Sequence, residues 1–333
     1  MDAIFTYDTP HLLQWHWPIA VDLFLGGIGA GAFVVAVLVS LYYRDKFPEV
    51  SKAGAVLAPL CVIVGDLFLL AELGHPGRIY RTVIGFNVSS PFSWGGPLQG
   101  LMITVSLVYA YLWVKPRPSP SKVRNVVGII GIPFAVLMGT YHGWLLTMVK
   151  ARPLWNTGPA TLAALMAFAT TGIAAVLLVL CLRGKRTFES NGKAEHAGWL
   201  VYDFRLGKRR PANHSNNAVP HAVWMVHDLR KILVVGLVLQ CVTLFVWWIS
   251  LYFGSEVGRA ALTTANAAIG PLFWIVGIAL GLMLPAILQL AEIIRHRGET
   301  VRLSLPLTIA TAALVLVGGF VFRYAVLIGG QLS

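Results

Sequence analysis

The 333-residue sequence is 57% hydrophobic and only 12% charged, about half the charged fraction of an ordinary soluble domain, which excludes a water-soluble enzyme and a disordered tail. Its formal charge of +12 raises nucleic acid as a partner, but the cations are sorted by membrane side rather than gathered on a patch, so no nucleic acid is expected. Cys61, Cys181 and Cys241 are far apart and form no CxxC, CxxCH or ferredoxin-type pattern, so the protein itself is expected to hold no metal.

Eight apolar runs follow in chain order. About 20 helical residues cross the hydrocarbon, and lipid offers the backbone no partners, so runs of this length are helices. The first, Pro18–Tyr43, carries Asp22 and the segment Gly26-Gly27-Ile28-Gly29-Ala30-Gly31. Gly27 and Gly31 form a GxxxG pair, which lets another backbone approach closely. The run is too long for a signal peptide and lacks both the basic flank and the cleavage site of one. The second run, Ala53–Leu73, carries Asp66 and Glu72. His75–Gly95 follows, dense in Pro, Gly and Ser, and is expected to be an ordered, turn-rich loop. The third is Leu98–Val114, the fourth Val126–Val149 with Tyr141 and His142, and the fifth Pro159–Leu182. After a polar, basic stretch over 183–227, in which Lys208-Arg209-Arg210 is placed near anionic headgroups, come Ile232–Phe253, Ile269–Ile294 and Leu305–Ile328, the last with Arg323. Trp15, Trp17, Trp94 and Trp155 fall at an interfacial belt. The expected fold is an all-α, polytopic membrane protein of about eight transmembrane helices. Residues 1–158 are read as a first four-helix bundle and 159–333 as a second, interrupted by the basic loop.

Loop charge sets the orientation. The loops after the first, third, fifth and seventh helices hold twenty Lys and Arg residues against five on the other side. The positive-inside rule puts the first set in the cytoplasm, and both termini outside an inner membrane. Asp22, Asp66, Glu72, Tyr141, His142 and Arg323 then share the outer third of the bundle. Intramembrane charge is costly and marks function by default. The inner half shows no comparable set: Gln240 and Gln289 are read as isolated and Glu292 as lying at the boundary.

Three chemistries compete for the outer set. A buried ion-pair network would join Arg323 to Glu72 or Asp66 and serve assembly alone. A site for a redox-active lipid fits the residue types better, because a phenol such as Tyr141 can donate to a quinone carbonyl and desolvated carboxylates such as Asp22 and Asp66 can exchange protons. Haem would need paired histidines within helices, and His142 has no such partner: His16 and His75 lie at the outer boundary, His221 and His227 on the opposite side. Two rivals from other classes are a secondary transporter, hinted at by Gly281 and Pro285 in the seventh helix but wanting charges at the midplane, and a purely structural anchor.

Several segments together resemble the NrfD/PsrC family of polysulfide reductase-like quinone-handling membrane subunits. They are Trp15-His16-Trp17; Asp66-Leu67-Phe68-Leu69-Leu70; Leu73-Gly74-His75-Pro76-Gly77-Arg78 through Ser90-Pro91-Phe92-Ser93-Trp94-Gly95; Tyr141-His142-Gly143 through Arg152-Pro153-Leu154-Trp155-Asn156; and Gly318-Gly319 through Arg323-Tyr324 to Gly330-Gln331. The resemblance implies a subunit of an oxidoreductase complex that binds exchangeable menaquinone and carries no haem, flavin or iron–sulfur cluster. It implies docking, on the outer face, of a ferredoxin-like iron–sulfur subunit joined to a molybdopterin catalytic subunit. A quinone-facing Tyr of the family's fourth helix maps onto Tyr141. A His and an Asn at the start of the family's first helix correspond here to Asp22 and Ile19, so the sequence departs from the pattern there. The expected quinone-binding residues are His16, Asp22, Tyr141 and His142, with Asp22, Asp66 and Tyr141 as the reacting groups and Glu72, Arg78 and Arg323 as the supporting network.

Overall fold

The computed structural model describes residues 15–43, 47–72, 75–115, 121–190, 199–203, 219–295 and 300–332; the Lys208-Arg209-Arg210 cluster lies outside them. The long helices are α1 (Trp17–Tyr42), α2 (Pro48–Glu72), α4 (Gly95–Val114), α5 (Ser121–Thr147), α6 (Gly158–Ser190), α7 (Val219–Gly254), α8 (Glu256–Pro271), α9 (Leu284–Arg295) and α10 (Leu305–Leu332). Between α2 and α4 sits one helical turn, α3 (Arg81–Ile84), flanked by 3-10 turns at Pro76–Arg78 and Pro91–Trp94. Among the described residues eight helices are long and apolar enough to cross a membrane, so this is a multi-span α-helical membrane protein. One small addition to the all-helical expectation is an antiparallel pair, β1 (Trp199–Asp203) with β2 (Thr300–Ser304), in register Trp199 to Ser304.

Hydropathy underestimates three helix ends. α6 continues to Ser190 and α7 begins at Val219, because Leu, Arg, Lys and Glu sustain a helix after the hydrocarbon has ended. The seventh span starts at Glu256 rather than Ile269. Its first turns are Ala-rich, and the Ser255 side chain caps them by accepting from the Gly258 amide at 3.0 Å, a strong start signal for a stretch too polar to register as apolar. At Pro271 the coil widens into a π-helical stretch, Leu272–Met283. Proline lacks the N–H needed for the i→i−4 bond, so the regular pattern is disturbed from there.

α1 is the central helix, buried on nearly every side. It packs along α2 and α5, and also along α6 and α10, so its contacts run across the division at residue 158. Its glycines make this possible: a Cβ on Gly31 would lie 2.9 Å from Cα of Gly172 on α6, so the backbones meet without a side chain between them. Gly281 and Gly318 bring the π-helical stretch equally close to α10.

The half of the bundle that the sequence reading put on the inner side is not bare, contrary to that reading. Arg230 on α7 and Glu292 on α9, 1% and 8% exposed, form an ion pair at 2.5 Å. Arg230 also donates to Gln289, Gln289 donates to Thr311 on α10, and Glu292 accepts from the Ser304 amide at 2.9 Å. Gln240 is likewise paired, accepting from Thr170 at 2.6 Å. Arg230 and its partners are about sixty residues apart in sequence, so no local pattern announces them.

Candidate functional site

The polar residues at the other end of the bundle divide into three groups around α1. The first is a buried carboxylate cluster. Asp22 on α1 is 3% exposed and sits against Gly65 of α2, where a Cβ would come 3.1 Å from its Oδ1. Gln99 of α4, also buried, donates its amide N–H to that Oδ1 at 3.5 Å. Asp66 and the Tyr141 hydroxyl both act electrostatically on Asp22. The hydroxyl lies on Gly95, the first residue of α4, where a Cβ would approach it to 2.7 Å. Four helices, α1, α2, α4 and α5, thus each place one polar side chain, and two glycines leave the room. Asp66 Oδ1 is buried and has no hydrogen-bond partner among the described residues. Buried polar atoms in folded proteins are nearly always paired, so an orphan calls for a ligand or a water.

The second group lies where α1 meets α5, α6 and α10: a Cβ on Gly26, one turn from Asp22 on α1, would come 3.0 Å from the His142 ring, and one on Gly27 would meet Phe168 and the Arg323 guanidinium. His142, buried on α5, packs edge-on against Phe168 of α6, with ring centroids 5.5 Å apart, and its Nδ1 is also unpartnered among the described residues. It shares a small cavity of about 40 Å3 with Arg323 and Trp155. Arg323 does not reach Glu72 or Asp66. Its guanidinium donates to the Gly319 carbonyl at 2.8 Å and to Thr171 at 3.4 Å, and it lies over the Phe168 and Phe24 rings. Aromatic faces and helix carbonyls stabilise a buried guanidinium where a carboxylate is absent.

The third group closes the surface. His16, just before α1, donates its backbone N–H to Glu72, the last residue of α2, at 3.2 Å, and its ring nitrogen lies 2.5 Å from the same oxygen. Arg78 is exposed in the 75–94 loop and stays outside these contacts. The loop is ordered as expected, with Trp94 donating to the Val88 carbonyl at 3.1 Å. Trp155 corrects the belt assignment: it is 3% exposed, stacks on Trp15 with centroids 5.4 Å apart and donates to the Val326 carbonyl at 2.7 Å. Beside it Gln331 exchanges two hydrogen bonds with the Trp15 backbone, and Arg152 donates to the Gln331 carbonyl at 2.6 Å. The carboxyl-proximal end of α10 is thereby tied to the start of α1.

The structure therefore brings together Asp22, Asp66 and Tyr141 and adds Gln99; His142 adjoins them, its ring centroid 6.0 Å from that of Tyr141, and shares its cavity with Arg323, while His16 pairs with Glu72 at the surface. Gln99 escaped the sequence reading because it is the second residue of the run Leu98–Val114, where an amide reads as the polar edge of a span rather than as a costly buried group. The described residues contain no group of three or more His, Cys, Asp and Glu that could hold a metal.

A family profile described as "Polysulphide reductase, NrfD" matches residues 6–201. The sequence is 29% identical to the C component of polysulfide reductase from Wolinella succinogenes, over 95% of its own length and 94% of that protein. It is 27% identical to protein NrfD of Escherichia coli, over 96% of each. It is 22% identical to the C component of selenate reductase from Mesobacillus selenatarsenatis, over 65% of its own length and 61% of that protein.

Proposed function

The protein belongs to the NrfD polysulphide reductase family, and on that premise we propose that it is the quinone-reactive membrane subunit of a multisubunit respiratory oxidoreductase. It passes electrons between menaquinone or menaquinol and an extracytoplasmic iron–sulfur subunit, which is joined to a molybdopterin catalytic subunit. It sits in the cytoplasmic membrane with both termini outside and carries no haem, flavin or cluster of its own. The observation that supports this reading is the four-helix cluster of Asp22, Asp66, Gln99 and Tyr141 with its orphaned Asp66 oxygen.

The residues fit a quinone. Each quinone carbonyl needs a donor, and Tyr141 or a protonated carboxyl supplies one. Bound quinone supplies the two-electron, two-proton chemistry. Tyr141 holds a carbonyl oxygen by its O–H. Asp22, fixed in orientation by Gln99, and Asp66, with a free oxygen, take up and release the protons. The tight packing at Gly65 and Gly95 keeps bulk water from the carboxylates. His142, next to Tyr141 on α5, adjoins this centre, and His16 lies at the surface with Glu72.

The test compares two electron routes in the assembled complex. Tyr141→Phe removes one neutral hydrogen bond of about 0.5–1.5 kcal/mol, so quinone-coupled turnover should fall by up to about tenfold. Asp22→Asn removes a proton-exchanging group, a loss of roughly 10²–10⁴ for general acid–base catalysis. Turnover with a soluble artificial dye at the partner subunits should survive in both. Full quinone-coupled rates in both variants would end the assignment, and equal loss in both assays with poor assembly would favour a structural anchor.

A further inference from the structure

A second, larger cavity lies away from the carboxylate cluster, between α7, the α8–π-helical span and α10. It measures about 420 Å3, within the range of small-molecule sites. Its walls are aromatic and aliphatic, with Trp247, Trp248 and Phe273 among them and Asn266 as a lone amide. Two of the wall's indole N–H groups and the Asn266 oxygen are already engaged: Trp274 Nε1 donates to Asn266 at 3.0 Å and Trp247 Nε1 to the Leu154 carbonyl at 3.3 Å. What fills the cavity is therefore apolar where it meets these walls.

Phe245 and Met283, which line its rim, are 61% and 50% exposed on the outside of the bundle. In membrane-spanning helices that outside is hydrocarbon, so the mouth opens to lipid chains. On α7 the rings of Phe245, Trp248 and Tyr252 stack in sequence, with centroids 6.5 and 5.2 Å apart, and lead from the mouth towards the end of the span at Gly254. Aromatic residues favour the headgroup level of a bilayer. At the same end of the span, on α8, Arg259 is exposed. The spacing Arg259, Leu262, Asn266, Gly270 repeats every three or four residues, which puts Arg259 one turn beyond the cavity on the helix face that lines it. A basic side chain at this level attracts an anionic headgroup.

We propose that this cavity is a phospholipid site, seating one acyl chain among Trp247, Trp248 and Phe273 while an anionic headgroup meets Arg259. The site is distinct from the carboxylate cluster and binds structural lipid rather than a redox partner.

Gly270 provides the test. A Cβ added there meets nothing nearer than 3.6 Å, so Gly270→Phe directs a ring into the cavity without displacing backbone, and Leu262→Trp narrows it from about two turns away, nearer Arg259. The intact complex, purified in mild detergent and delipidated, is offered phosphatidylglycerol or phosphatidylcholine of identical acyl chains, and bound lipid is counted by native mass spectrometry. The expected result is one retained phosphatidylglycerol per copy of the protein, preferred about fivefold over phosphatidylcholine. It is lost in Gly270→Phe or Leu262→Trp, and Arg259→Gln abolishes the preference while keeping a lipid. Retention unchanged in both cavity-filling variants overturns the site. Loss of an adduct of quinone mass in place of phospholipid assigns the cavity to an isoprenoid tail and overturns the proposal. Equal binding of both lipids to wild type overturns the headgroup contact.

Discussion

Glu292→Ala strands Arg230, a guanidinium 1% exposed with Gln289 as its remaining side-chain partner. Removing one member of a buried ion pair costs about 3–5 kcal/mol, and the Ser304 amide loses its acceptor as well, for roughly 1 kcal/mol more. The total is a large part of the 5–15 kcal/mol that typically separates folded from unfolded. Arg230→Met with Glu292→Leu removes both charges and refills the space. Such exchanges range from neutral to stabilising, so the double variant should return close to wild type even though each single change is severe. The measurement is an unfolding titration in mixed SDS micelles, reported by thiol labelling of Cys61 and Cys181, which are free and buried in the fold. A Glu292→Ala variant within about 1 kcal/mol of wild type, or a double variant as unstable as the sum of its parts, would refute the argument that desolvated charge dominates around Arg230 and Glu292.

At the opposite surface, Trp155→Ala empties a site that a 3%-exposed indole fills and should cost about 3–5 kcal/mol, read as a lowered midpoint in the same titration; an unchanged midpoint would show that the stacking on Trp15 carries no stability. Gly31→Val should block the approach of α6 to α1 and prevent assembly, seen as loss of the complex on size-exclusion chromatography, whereas Gly100→Val, at a position with open space around it, should assemble normally. A cysteine replacing Asn87 should react with an impermeant thiol reagent from outside the cell, and one within 204–218 only after the inner face is opened; the reverse pattern would invert the proposed orientation.

The spans were legible because hydropathy registers runs, and each run of this sequence is long, nearly uncharged and bounded by turns or cations. The elements it missed are those whose helicity comes from other sources: the Ala-rich, Ser255-capped start of α8, and the continuation of α6 over Leu, Arg and Lys. In the site, Asp22, Asp66 and Tyr141 were legible as costly residues at a common depth, but depth does not give azimuth. Which side of α1 each residue faces depends on helix packing, so Arg323 was grouped with carboxylates, whereas its guanidinium turns to Gly319 and Thr171. The Arg230–Glu292 pair was hidden for a related reason. Its members lie in two spans that periodicity treats independently, and only the fold shows that α7 and α9 run side by side.

The bonds between Trp15 and Gln331 link positions 316 residues apart. At about 5–20 residues per second of synthesis, roughly 15–60 s pass between the emergence of one partner and that of the other. Until that interval ends the seat of α10 beside α1 is vacant, and Trp155, once made, lacks the Val326 carbonyl that its indole engages. A polypeptide stopped before its last span thus retains every carboxylate of the cluster and lacks its closure.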